Sequence, residues 1–310
     1  LFHIALVGVL ICIAGGQLTS YRGQITVIEG DGFANSLTRY DSFESGAWFD
    51  ESHMPDFRFT LEDFRASYVQ PGEAGTVGEP RSFEADVRVT TPGQEELTRT
   101  LQVNKPLHVD GASMYLLGNG YAPEVTVTDP EGDVVAEGPV ITVPMGDIGY
   151  TSQLVIKAPD ARPEQTAVVG FFLPTGTIDE QGPHSLYPDA LDPQLALTVH
   201  QGDLGLDSGV PQNAYEVDVS TLTPIAGEDG NPVLIRLYSG QEFELPDGTT
   251  ISFDGLRRYA AFDIAHDPFE RWVLVFALTA VGGLILSLFV PRRRVWVRVR
   301  ATDGGAVLEV

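Results

Sequence analysis

The chain has 310 residues, 43% of them hydrophobic, and carries 19 Lys and Arg against 43 Asp and Glu, a formal net charge of −24. Such an acidic excess repels phosphate backbones and so argues against nucleic acid as a partner, while solvation of the surface accounts for the excess itself. The one cysteine, Cys12, leaves no intrachain disulfide to staple the fold, and no C-x-x-C-H is present to carry covalent c-type haem.

Residues 1–16 contain no charge and would cover about 24 Å as a helix, against a hydrocarbon core of roughly 30 Å. Lacking an initial Met, they are predicted to be a truncated transmembrane helix. A cleaved secretory signal peptide is the alternative, although the usual basic region before the apolar run is missing. His3 lies within this segment, about 20 Å along the axis from Gly16. An imidazole in an apolar helix is costly to leave unpaired, so His3 is expected to meet a partner helix or a cofactor, or else to reach the inner interface.

Residues 17–271 follow as one long β-patterned region. Alternating apolar and polar positions predict strands over 24–29, 82–91, 123–129, 151–156, 195–200, 233–238 and 250–253. Turn chemistry separates them at Thr91-Pro92-Gly93, Asp129-Pro130-Glu131-Gly132 and Pro246-Asp247-Gly248. The expected fold class is mainly β, a large antiparallel domain between two transmembrane helices, sandwich-like or barrel-like. Longer loops are expected at 71–80 and at 174–193, where the Pro and Gly content suggests a sub-boundary between two β units. Trp48, Phe49, Phe57, Phe59 and Phe64 are expected to build core near the membrane-proximal end.

His266-Asp267-Pro268-Phe269-Glu270 has helix-start chemistry, with Asp267 at N-cap, Pro268 at N1 and Glu270 at N3. That explanation leaves His266 available as a ligand at the outer surface. Residues 272–290 are uncharged and span roughly 28 Å, the length of a transmembrane helix. Arg292, Arg293, Arg294, Arg298 and Arg300 follow, which places a tail of residues 291–310 in the cytoplasm and the β region outside it. The outer region then holds 14 basic and 41 acidic residues, a formal charge of 14 − 41 = −27.

The sequence contains no H-E-x-x-H, G-x-S-x-G, P-loop or dinucleotide fingerprint, so hydrolase, ATPase and Rossmann readings have no positive support. His53, His108, His184 and His200 are scattered through the β region, where a satisfied surface or core histidine is the ordinary outcome. Leu173-Pro174-Thr175-Gly176 has the wrong order and place for a cell-wall sorting signal and reads as a turn. No residue stands out as a catalyst.

Val103-Asn104-Lys105-Pro106-Leu107, followed by Gly111 and Tyr115, resembles the V-N-x-P-L-x-x-x-G-x-x-x-Y signature of the ResB family, also called CcsB, of System II cytochrome c biogenesis. Phe57 to Phe64 is similar to that family's F-x-x-x-L-x-D-F segment. Phe2-His3 before the outer domain and Asp267-Pro268 before the last helix are similar as well, so the likeness runs in order along most of the chain. Family members have four transmembrane helices with the large domain between the third and fourth. The resemblance therefore implies a fragment that begins within the third.

It implies further that the protein works with the polytopic ResC (CcsA) protein to export or hold haem b, keep it reduced, and present it to apocytochrome c for covalent attachment. A thioredoxin-like thiol reductant of the same pathway would be a further partner. In fused relatives an intramembrane histidine on this helix is an axial haem ligand, and His3 is the matching position; His266 is a second, weaker candidate. The implied location is the plasma membrane, multi-pass, in contact with lipid. The competing expectation is a membrane-anchored extracellular β-sandwich binding protein whose signal peptide has been removed.

Overall fold

Period-two alternation governs most of this molecule, and antiparallel strands are what it folds into. The computed structural model describes residues 1–180, 182–206, 209, 212–289, 297–302 and 305–309. It divides into two compact units: Leu1–Tyr21 with Ser45–Asp50 and His266–Val310, and Arg22–Glu44 with Glu51–Ala265. The predicted mainly β, antiparallel class with an apolar helix near each end is what the structure shows. Arg292, Arg293 and Arg294, on which the predicted orientation leans, lie outside the described residues.

The larger unit is built on two sheets. A seven-stranded sheet runs in the order Ser42–Ser45, Tyr21–Ile28, Thr250–His266, Ala112–Thr128, Leu107–Val109, with Gln241–Glu244 and Val134–Pro139 joined to its two long strands. A six-stranded sheet runs Val143–Pro144, Ser152–Ala158, Thr166–Leu173, Gln194–Gln201, Thr223–Pro224, with Ile235–Tyr238 also paired to Gln194–Gln201. Their inner faces share one core: Tyr121, Val125, Ile251 and Phe253 from the first meet Leu154, Val168, Phe172 and Leu197 from the second. Interdigitation of this kind, with polar residues turned outward, is how stacked sheets exclude water.

A four-stranded sheet, Gly32–Ala34, Arg58–Tyr68, Pro80–Thr90, Leu97–Gln102, completes the unit. It is fixed to the seven-stranded sheet partly by Phe59 against Phe262, edge to face at 5.2 Å. The segment Phe57 to Phe64 explains itself here. Phe57, Phe59 and Leu61 keep period two and are buried, and then a bulge between Leu61 and Asp63 lets Phe64 turn inward three positions on. The carboxylate of Glu29 satisfies the backbone this disturbs, accepting the amide N–H of Phe64 at 2.7 Å and that of Arg258 at 3.0 Å. The Val103 to Tyr115 segment is likewise a backbone device. Asn104 (φ 64°) turns the chain out of Leu97–Gln102, and Asp110-Gly111 (φ 46° and 86°) makes the hairpin into the long strand Ala112–Thr128.

Two charged groups are tied inside this unit. Asp263 is 4% exposed in its side chain and is gripped by Arg22, whose Nε lies 2.7 Å from Oδ1 and Nη2 2.6 Å from Oδ2. Arg258 donates to Asp189 at 2.5 Å and stacks its guanidinium 4.6 Å from the Tyr121 ring. Burial pushes the nearby Tyr68 hydroxyl up to about 12, against the opposing pull of Arg258.

Two details depart from the sequence expectations. Residues 174–193 carry their own hairpin, Gly176–Asp179 with Gly182–Ser185, and the flanking strands Thr166–Leu173 and Gln194–Gln201 pair with each other, so the segment joins neighbours in one sheet. Trp48 is not core: it is 71% exposed, because the segment that carries it runs along the end of a helix rather than beneath a sheet. Phe57, Phe59 and Phe64 are buried as expected.

Candidate functional site

The smaller unit is built around two apolar helices, α1 (Phe2–Thr19) and α2 (Glu270–Phe289). At 1.5 Å per residue they extend about 27 and 30 Å. They pack antiparallel: Phe2 meets Gly283, Gly8 meets Phe276, and Gly15 meets Phe269. Small residues make this approach possible. Ala5, Gly8, Cys12 and Gly16 form the buried stripe of α1, and Ala280 and Gly283 that of α2. A Cβ added at Gly8 would lie 2.4 Å from the Phe276 ring, so the seam leaves no room for a side chain there.

At the C-terminal end of α1 the carbonyls that a helix leaves unpaired are taken up by residues 45–50. The N–H of Trp48 donates to Leu18 O at 2.7 Å and that of Gly46 to Ser20 O at 2.9 Å. Tyr21 then meets two rings, Phe49 edge to face at 5.6 Å and His266 tilted at 5.7 Å. Asp267 caps α2, its Oδ1 accepting the N–H of Phe269 at 2.8 Å, and rests against Gly16.

The two candidate histidines are placed far apart. His3 is exposed, its ring packed edge-on against Phe2 at 5.3 Å. At about 100° per residue it falls roughly opposite the Ala5–Gly8–Cys12–Gly16 stripe, so it faces away from α2. His266 sits beyond the other end of α1, and about 24 Å of helix separates His3 from Thr19 alone. Bonds from imidazole to a metal are about 2 Å, so two ligands of one ion stand about 4 Å apart. His3 and His266 cannot serve the same iron.

The remaining histidines have local roles. Nδ1 of His108 is 2.9 Å from Ser113 Oγ, and Nδ1 of His184 is 3.1 Å from Gly182 O. Among the described residues no group of three or more His, Cys, Asp and Glu could hold a metal ion. His200 keeps Nε2 3.1 Å from Thr198 Oγ1, while its buried Nδ1 has no partner, and burial lowers its pKa. The sign of the linkage follows. The neutral ring favours the folded state above the unfolded value of about 6.5, and that contribution is lost as pH falls through the lower folded value. Urea midpoints should therefore drop between about pH 7.5 and pH 5 in the native chain and drop less in His200→Gln. An equal drop in both would remove His200 from this role.

The residues that sequence reasoning missed are Tyr21, Gly46 and the seam itself. The spacing of Ala5, Gly8, Cys12 and Gly16 was readable as a small-residue stripe at helical period, whereas nothing local in residues 45–50 announces a helix cap.

Fold and site together define a class: a β-domain protein with, among the described residues, two helices long and apolar enough to cross a membrane, as fits a membrane protein. The model of the ResB-like family matches residues 1–310, the whole chain, and the chain belongs to that family, which serves cytochrome c biogenesis. No curated protein matches it.

Proposed function

We propose that this chain is the ResB-side half of a membrane complex that holds haem b and, with ResC (CcsA), presents it to apocytochrome c. The observation that carries the reading is the position of His3, exposed on the face of α1 turned away from α2. Leaving an imidazole there in lipid without a partner is unfavourable, and a helix from a second chain could cover it. The residues present fit a haem iron, which the imidazole of His3 would hold from an apolar helix surface. With His266 out of reach, any second protein ligand to the iron would come from the partner.

Haem, when bound, supplies the vinyl groups that become thioethers on the apocytochrome. The part of this chain is to fix one imidazole, offer an apolar wall, and exclude water. In this reading the β domain is extracytoplasmic and the C-terminus cytoplasmic, in the plasma membrane. The tight seam between the two helices supports retention of residues 1–16 over their removal as a signal peptide.

The test is to purify the chain with its ResC partner and measure bound haem in the native pair, in His3→Ala and in His266→Ala. His3→Ala should lose at least about tenfold of the haem at a fixed haem supply, and His266→Ala should stay near the native level. Unchanged haem and an unchanged spectrum in His3→Ala would refute the assignment.

A further inference from the structure

The strand Thr166–Leu173 is apolar on both faces, which for a sheet exposed on one side calls for something to cover the second. Its inward residues join the core. Its outward residues, Val169 and Phe171, align with Val155 and Gln153 on one neighbouring strand and with Thr198 and Ala196 on the other. This outer face is the floor of an apolar groove of about 440 Å³, walled by Met145, Val219 and Leu234. Met145 and Leu234 are 61% and 54% exposed.

A second cleft of about 560 Å³ continues from it, sharing Gln153 and Val217, and carries Asp203, Glu216 and Asp218. Among the described residues neither cleft is lined by Lys, Arg or His; Lys157 reaches the edge of the acidic cleft, its Nζ 3.2 Å from Gln212 Oε1 and 2.9 Å from Asn213 O, and stands against the three carboxylates. Their volumes fall in the range of ligand-binding pockets.

We infer that this groove docks an unfolded, cationic polypeptide segment, with apolar side chains on the sheet face and Lys or Arg in the acidic cleft. Charge decides among the possible occupants. Fatty acids, anionic lipids and haem carry carboxylates or phosphates, and the acidic cleft repels them. A second copy of this chain would bring the same acidic cleft to the contact. A positively charged apolar chain matches both halves, its apolar side chains the groove and its cations the excess of carboxylates. The inference deepens the proposed function by giving the apoprotein partner a docking surface, and rests on that reading only for the partner's biological identity.

The test uses the full chain in detergent and a short fluorescent peptide with an apolar centre and lysine flanks, compared with the same centre flanked by glutamate. Anisotropy should show the lysine peptide binding at least about tenfold more tightly, with affinity falling as salt rises. Val155→Arg, which puts bulk and like charge on the groove floor, should weaken binding at least about tenfold. Glu216→Lys, an exposed change that leaves the core alone, should weaken it severalfold and flatten the salt dependence. Equal binding of the two peptides, or native affinity in Glu216→Lys and Val155→Arg together, would overturn the proposal. Haem retention through His3, measured on the same variants purified with the ResC partner, separates the two outcomes: peptide binding lost with haem intact refutes the groove alone, and the converse refutes the haem reading alone.

Discussion

Replacing Arg22 with Ala should destabilise the β domain by about 3–5 kcal/mol, a large loss for a single side chain that is itself 64% exposed. The reason lies on the other partner. Asp263 is 4% exposed, and its two oxygens are held by Nε and Nη2 of Arg22. Without that fork the carboxylate is left charged and desolvated in the strand Thr250–His266, beside Phe262 and Ile264, both fully buried. Asp263→Asn in the Arg22→Ala background removes the charge and should restore about half of the loss, because the cost belongs to the stranded charge more than to the lost contact. Urea unfolding of the native chain, Arg22→Ala and the double variant measures this. A loss below about 1 kcal/mol in Arg22→Ala would mean that the pair behaves as an ordinary surface ion pair.

Gly8→Leu should open the seam between α1 and α2. The added Cβ would stand 2.4 Å from Phe276, and overpacking of this kind costs about 1–3 kcal/mol. Cys12 provides the readout, since it is the only cysteine of the chain and lies 5% exposed in the same seam. Each 1.4 kcal/mol of lost seam stability raises the open population about tenfold, so N-ethylmaleimide in detergent should label Cys12 roughly fivefold to 150-fold faster in the variant. Gly282→Leu is the control, because a Cβ at Gly282 meets nothing within 4 Å. Equal labelling of the native chain and Gly8→Leu would place Cys12 outside any closed helix contact.

The sequence was most legible where chemistry is local. Alternation marked out strands such as Ser152–Ala158 and Gln194–Gln201, and Asp267-Pro268 announced the start of α2 with a cap that the structure forms. It was least legible where a residue breaks its own period for a tertiary reason. Phe64 follows Leu61 by three because of a bulge stabilised by Glu29, thirty-five residues away. The strand Thr166–Leu173 shows no alternation because both its faces are apolar, and so it escaped a period-two reading altogether. Trp48 looked like core because it is a tryptophan beside a phenylalanine, but its backbone is committed to capping α1 and its ring points outward. For the candidate site, the cost of an imidazole in an apolar helix made His3 stand out from the sequence. That it turns away from α2 required the packing of α1 to be known.

The central claim is that His3 contributes a ligand across a contact with another chain, and chemical rescue tests it most directly. His3→Gly, purified with the ResC partner, should lose the absorption spectrum of haem held by His3, and added free imidazole should restore that spectrum by filling the vacated ligand position. A native spectrum in His3→Gly before any imidazole is added would contradict the account.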